Sequence, residues 1–215
     1  MSRGLGDVYK RQENEIDIDE KQKTNLLDIV EKLEQNLEYR ENRKFFDDFF
    51  SETPCEENGF KAFDYEKLCA MVLFFANKST ELLKTKLMKL LNYSDMIFYK
   101  ENGISISGLR YAHLPYGPVP ENFDMLFGRM AADHLAHIEV AYDNGYEKHQ
   151  VIPECDMPKD VLSDEEKNVL ERIYLKFKDF GSVDISNYSH KEKGYIATKQ
   201  GEIISYSYAK DICLN

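Results

Sequence analysis

Two places in the chain set histidine beside groups that could do acid–base or metal chemistry. His134 and His137 form the close pair, His-x-x-His. A metal centre needs three or four donors at fixed geometry. No carboxylate or cysteine stands at ligand spacing from this pair, which straddles the end of a helix and the start of a strand. It reads as two partly exposed histidines. Ser189 and His190 supply a nucleophile and a base side by side. Neighbours on a helix point in different directions, so they form no dyad. His190 reads as a capping or core-edge residue. Residues 103–108 match neither a phosphate-binding loop nor a dinucleotide fingerprint. Acid pairs such as Asp47-Asp48 and Glu56-Glu57 occur, but 39 acidic residues make them expected by chance. These residues describe no enzyme, no cofactor site and no metal site.

The remaining candidates do recognition. Residues 103–120 read Gly-Ile-Ser-Ile-Ser-Gly-Leu-Arg-Tyr-Ala-His-Leu-Pro-Tyr-Gly-Pro-Val-Pro. Pro115, Pro118 and Pro120 lie within it, and Ile104 and Ile106 alternate with Ser105 and Ser107. Pro115, Gly117 and Pro118 exclude a continuing helix or a central strand. The segment is expected to be a stiff, irregular connection between helices. A stiff loop loses little entropy when it binds. Arginine and tyrosine beside such a loop are the residue types that anchor interfaces. The candidate partner-binding residues are Arg110, Tyr111, His113, Tyr116, Gly117 and Pro118. The alternative is that Tyr111, Leu114 and Val119 pack the loop onto its own core, and for Leu114 and Val119 that alternative is preferred.

Composition limits what such a loop can serve. The formal net charge of -11 argues against a sequence-independent grip on nucleic acid. No apolar run reaches the length of a membrane span, and no secretory leader is visible. Cys55, Cys69, Cys155 and Cys213 are scattered, which reads as free thiols in a reducing cytoplasm. Hydrophobic residues make up 42% of the chain, with 13 Phe and 14 Tyr but no Trp, enough for an aromatic core.

The elements that must position the loop follow from periodicity. Residues 1–12 have no periodicity and resemble a translated sequencing adapter; they are read as a non-native, disordered segment that replaces the true N-terminus. Residues 13–58 form a charged helical linker, with Leu26, Leu27, Ile29, Val30, Leu33 and Leu37 at helical steps and Pro54 ending it. Asp64–Asn77 is a helix with a stripe of Tyr65, Leu68, Cys69, Val72, Leu73 and Ala76. Thr80–Lys100 is a longer one, with Lys84, Lys86 and Lys89 read as a solvated face, the alternative being a docking patch. Asn102-Gly103 suits its C-cap. Glu121–Ala132 is a short helix with Pro120 in its first turn.

Ala136–Ile152 is a β-hairpin turning at Asn144-Gly145. It pairs Val140 with His149 and Ile138 with Val151. Ile138, Val140, Tyr142 and Val151 would then share one face. Ser163 and Glu166 form a capping box for a helix to about Asp179. Ser182 caps a short helix through His190, which Gly194-Tyr195 breaks. Lys199-Gln200-Gly201 is a turn, and Ser205 caps a last short helix. The fold class is α+β, predominantly α-helical: a helical domain with a small antiparallel β-hairpin and a charged N-terminal helical extension.

Several of these pieces, in order, resemble the Panacea domain, also called the SocA-like antitoxin domain. They are Phe63-Asp64-Tyr65-Glu66-Lys67-Leu68; Lys84-Thr85-Lys86-Leu87 with Lys89-Leu90-Leu91, Tyr93 and Asp95; Ser107-Gly108-Leu109-Arg110-Tyr111; Pro115-Tyr116-Gly117-Pro118-Val119-Pro120; and Tyr188-Ser189-His190 with Gly194-Tyr195. The resemblance covers residues 59–215. It implies a cytoplasmic, bacterial or phage-associated antitoxin of a type II toxin–antitoxin system. Such a protein binds and neutralises a cognate protein toxin encoded nearby, in some members as a proteolytic adaptor. It implies no cofactor. Similar long members carry an N-terminal zinc ribbon and helix-turn-helix, which this chain lacks, so DNA would be reached only through a missing N-terminal domain. The second reading is therefore a truncated transcription regulator. A homodimer is compatible with either.

Overall fold

The computed structural model describes residues 20–143 and 145–214. Residues 1–12, read above as non-native, and Asn144 of the hairpin turn lie outside them. The chain divides into two compact units between Phe50 and Ser51. The described part of the first is one helix, α1 (Glu20–Phe49), of 30 residues. Leu27, Ile29, Val30 and Leu33 of its stripe are exposed. At its end Phe45 faces Phe49 at 6.2 Å between ring centres, and Phe46 faces Phe50 at 4.6 Å.

The second unit is built around two helices, α2 (Tyr65–Lys78) and α3 (Lys84–Asn102). Asp64 caps α2 by accepting from the Lys67 amide at 3.1 Å. Every residue from Leu68 to Ala76 is buried, on all sides of the helix, so the apolar stripe expected for it understates its burial. On α3 the residues Leu87 to Phe98 are all buried, polar ones included. Gly103, at φ +75°, ends α3 in the left-handed conformation expected of it.

The segment expected to be irregular contains a second antiparallel hairpin, β1 (Tyr111–Leu114) and β2 (Gly117–Pro120). Its register pairs Tyr111 with Pro120, Ala112 with Val119 and His113 with Pro118. Prolines fit because β2 is an edge. β1 is the inner strand, bonded on its other side to the chain near Ile203: the His113 amide donates to Glu202 O at 2.9 Å, and the Ile204 amide to Tyr111 O at 2.8 Å. Pro120 ends this strand and does not open a helix. Helix α4 (Phe123–Ala132) starts after Asn122, which takes φ +54°.

β3 (Ala136–Asp143) and β4 (Tyr146–Pro153) form the expected hairpin with the expected register, Ile138 against Val151 and Val140 against His149. Its shared apolar face is only partly covered. Val151 is buried and its amide donates to Leu82 O at 2.8 Å, whereas Val140 and Tyr142 lie out towards the exposed turn.

Helix α5 (Asp164–Phe177) opens on the expected capping box, Ser163 with Glu166. Glu166 is buried and also pairs with Lys67 of α2. Helix α6 (Ser182–Ser189) is capped differently from expectation. The Asp184 carboxylate accepts from the Gly181 amide at 3.1 Å, and Ser182 Oγ has no partner. Gly194 does not break the chain; it lies inside α7 (Lys193–Ala197). A β-carbon there would come within 2.8 Å of Ile204 Cγ2, so this glycine permits close helix packing. Residues 206–211 form a closing 3-10 turn with Ser205 as its cap. The class is α+β, mostly helical, with two small antiparallel two-stranded sheets among the described residues.

Candidate functional site

The loop is held by one buried carboxylate. Asp95, in the middle of α3, has no exposed surface. It accepts from the amides of Ile106 and Ser107 at 2.8 Å each, from Ser107 Oγ at 2.5 Å and from Tyr111 Oη at 2.7 Å. Burial pushes its pKa up, and these four donors oppose the shift. The alternation of Ile104 to Ser107 therefore makes no strand. Ser105 and Ser107 are buried because each has a partner: Ser105 Oγ donates to Asn58 O at 2.8 Å, and Ser107 Oγ to Asp95. Tyr111 is a core residue, wholly inaccessible to solvent.

From this base β1 and β2 carry a two-residue tip, Pro115-Tyr116. Common two-residue hairpin loops need positive φ at the first or both central positions, which proline cannot adopt. Gly117 takes the positive angle instead, φ +101°. A β-carbon on Gly117 would run into Ser189 Oγ and come within 2.7 Å of Lys89 Cε. Gly117 and Pro118 are buried beneath the tip, while Tyr116 at the tip is 73% exposed. His113 is half-buried. Its ring stacks on Tyr195 at 3.7 Å, and its Nδ1 lies 3.1 Å from Thr198 Oγ1. Arg110, at the far end of β1, is held between Glu52 at 3.1 Å and Glu121 at 3.2 Å. Of the six candidate residues, the structure puts Tyr116 outermost, His113 and Arg110 at half-buried flanks, and Tyr111, Gly117 and Pro118 underneath.

Tyr116 stands between two grooves. The larger, of 760 Å³, has Met88, Leu114, Val119 and Phe123 among its apolar walls, with Lys84, Lys89, Glu121 and Asp124 also lining it. The smaller, of 450 Å³, lies towards α6, between Thr85, Tyr116, Val183 and His190. Val183 is 71% exposed at its rim.

The lysines of α3 are not a uniform solvated face. Lys84 pairs with Asp124 at 2.7 Å, and Lys86 donates to Lys178 O at 3.0 Å. Lys89 is 1% exposed and its Nζ has no hydrogen-bond partner. Burial pushes its pKa down to about 7. His190 packs on Tyr195 at 4.5 Å, and its Nε2 is likewise buried and unpartnered. Burial first, then the nearby Lys89 and His113, hold the His190 pKa below its ordinary value. Sequence reading named Lys89 and Asp95 but did not foresee that both are buried. A signal existed for Asp95, which falls on the same helical face as Leu91 and Phe98, where a charge has to find partners.

The other chemical candidates come apart. Ser189 Oγ donates to Ser186 O at 2.8 Å, not to His190. His134 and His137 both face Glu154, at 3.5 and 2.7 Å, a carboxylate remote from them in sequence. Among the described residues no group of three such side chains could hold a metal ion, and no helix is long and apolar enough to cross a membrane. The four cysteines are free.

The domain is thus mainly helical α+β, with an exposed aromatic tip between two grooves. The family model for the antitoxin SocA-like, Panacea domain matches residues 87–195, and the chain belongs to that family. The match runs from α3 to α7 and takes in Lys89, Asp95, the β1–β2 hairpin and His190. The family suggests an antitoxin role and is not typically enzymatic. No curated protein and no solved structure matches the chain significantly.

Proposed function

We propose that this protein is an antitoxin that neutralises a cognate protein toxin by binding it directly, through the β1–β2 tip and the grooves beside it. The observation that carries the reading is Tyr116: an aromatic residue 73% exposed at the tip of a hairpin seated on buried Gly117 and Pro118, in a domain of an antitoxin family. Aromatic anchors on pre-organised turns are what protein interfaces favour, because little entropy is lost on docking. Leu114 and Val183 extend the apolar surface on either side. Residues 59–215 are the unit that docks, in a type II arrangement where both partners are proteins of the bacterial or phage cytoplasm.

The test is a growth assay. The chain is co-expressed with each small reading frame neighbouring its gene, and rescue from toxicity is scored. Rescue by the unaltered chain, weakened at least tenfold in plating efficiency by Tyr116→Ala with the fold intact, supports the reading. If no neighbouring frame is both toxic and relieved, the antitoxin reading gives way to the truncated regulator.

A further inference from the structure

Beneath the tip lie two basic side chains that meet no acidic group among the described residues. Lys89 Nζ and His190 Nε2 are both buried and unpartnered, and each comes from a different helix, α3 and the end of α6. They are close enough that Lys89 disfavours protonation of His190. The other charged groups around the larger groove already have partners: Lys84 with Asp124, and Glu121 with Arg110. An uncompensated ammonium in a poorly solvated place is costly, and a carboxylate brought to it relieves that cost.

We infer that the larger groove receives an apolar segment of the partner carrying one Asp or Glu side chain, whose carboxylate pairs with Lys89. This rests on the antitoxin reading and adds the chemistry of the toxin's side of the contact. The groove is built for such an occupant. Its walls, Met88, Leu114, Val119 and Phe123, are apolar, and the Lys89 stem lines its floor. Gly117 matters here too, because any β-carbon at that position would close on Lys89 Cε. The Lys89 Nζ lies beside Gly117 and the side chain lines the groove, so a carboxylate seated there is within the reach of its four side-chain torsions. A free Lys89 titrating at about 7 is largely neutral at pH 8. Pairing restores its charge, so docking takes up a proton from the buffer. His190 lines the smaller groove and lies outside this contact.

The experiment is calorimetric titration of the full chain with its purified toxin, repeated in buffers of different ionisation enthalpy at pH 6 and pH 8. The expected result is uptake of about one proton per complex at pH 8 and almost none at pH 6. Lys89→Met should abolish the uptake and weaken affinity by roughly ten- to a hundredfold, with an unchanged circular dichroism spectrum. Binding by the unaltered chain with no proton uptake at pH 8, or undiminished binding by folded Lys89→Met, overturns the inference and leaves the antitoxin reading standing. Absence of binding by the unaltered chain overturns both.

Discussion

The Tyr111 hydroxyl donates to Asp95 Oδ2 at 2.7 Å inside the core, and the carboxylate that accepts it is the one that organises the turn at Ser105–Ser107. The loop's shape therefore depends on a charge in α3. Tyr111→Phe removes one of four donors and should cost about 1–2 kcal/mol. Asp95→Ala strands two amides and two hydroxyls, and should cost on the order of 3 kcal/mol or more. Urea unfolding of both variants checks the order. Equal costs would mean that the loop does not depend on this carboxylate.

Gly117→Val should destabilise the domain by roughly 2–5 kcal/mol, combining positive-φ strain with overpacking. Two causes act at one residue: φ is +101°, and the space a side chain would need holds Ser189 Oγ and Lys89 Cε. Gly117→Ala keeps both the strain and the β-carbon clash, so it should already destabilise the domain, and the further cost of Val reports the branched bulk alone. A melting temperature unchanged in both variants would show that neither cause operates.

Lys89 gives a pH signature. Its native pKa, about 7, lies below the ordinary lysine value of 10.5 that it regains on unfolding. Between those values the unfolded chain holds a proton that the native chain does not. Stability from this group therefore rises as pH increases from 7 towards 10.5, and the full penalty stands below pH 7. Lys89→Met removes the penalty. It should raise stability on the order of 3 kcal/mol at pH 6–7, with the gain shrinking steadily towards pH 10. Urea denaturation at several pH values reads this directly. A gain independent of pH would point to packing and not to charge.

Local signals were legible where a few neighbouring residues decide the outcome. The Ser163–Glu166 capping box, the Gly103 cap, the Ser205 cap and the β3–β4 register all follow from residues within a short window. The β1–β2 hairpin was hidden because Pro118 and Pro120 argue against a strand unless it is known to be an edge. That depends on β1 bonding to residues near Ile203, far along the chain. The buried state of Lys89 was hidden for the same kind of reason. A lysine at helical spacing reads as solvated until β2 and α6 are known to close over it. Tyr116 was legible as an exposed anchor type, while Tyr111, five residues earlier, looked the same and turned inward to meet Asp95.

Tyr116 and Arg110 sit at opposite ends of the hairpin and differ in what holds them. Tyr116 is outermost and exposed, whereas the Arg110 guanidinium already meets Glu52 and Glu121. Tyr116→Ala should leave stability within about 0.5 kcal/mol, as expected for an exposed side chain. It should lower toxin affinity by about 2 kcal/mol or more, as the loss of a central aromatic anchor does. Arg110→Ala should cost up to about 1 kcal/mol of stability, because half-exposed ion pairs contribute little. Its effect on affinity should be the smaller of the two, since a partner's acid would have to displace Glu52 or Glu121 to reach it. Titration calorimetry with thermal melts of each variant gives both quantities. If Arg110→Ala weakens binding more than Tyr116→Ala, the toxin docks on the base of the hairpin and not on its tip.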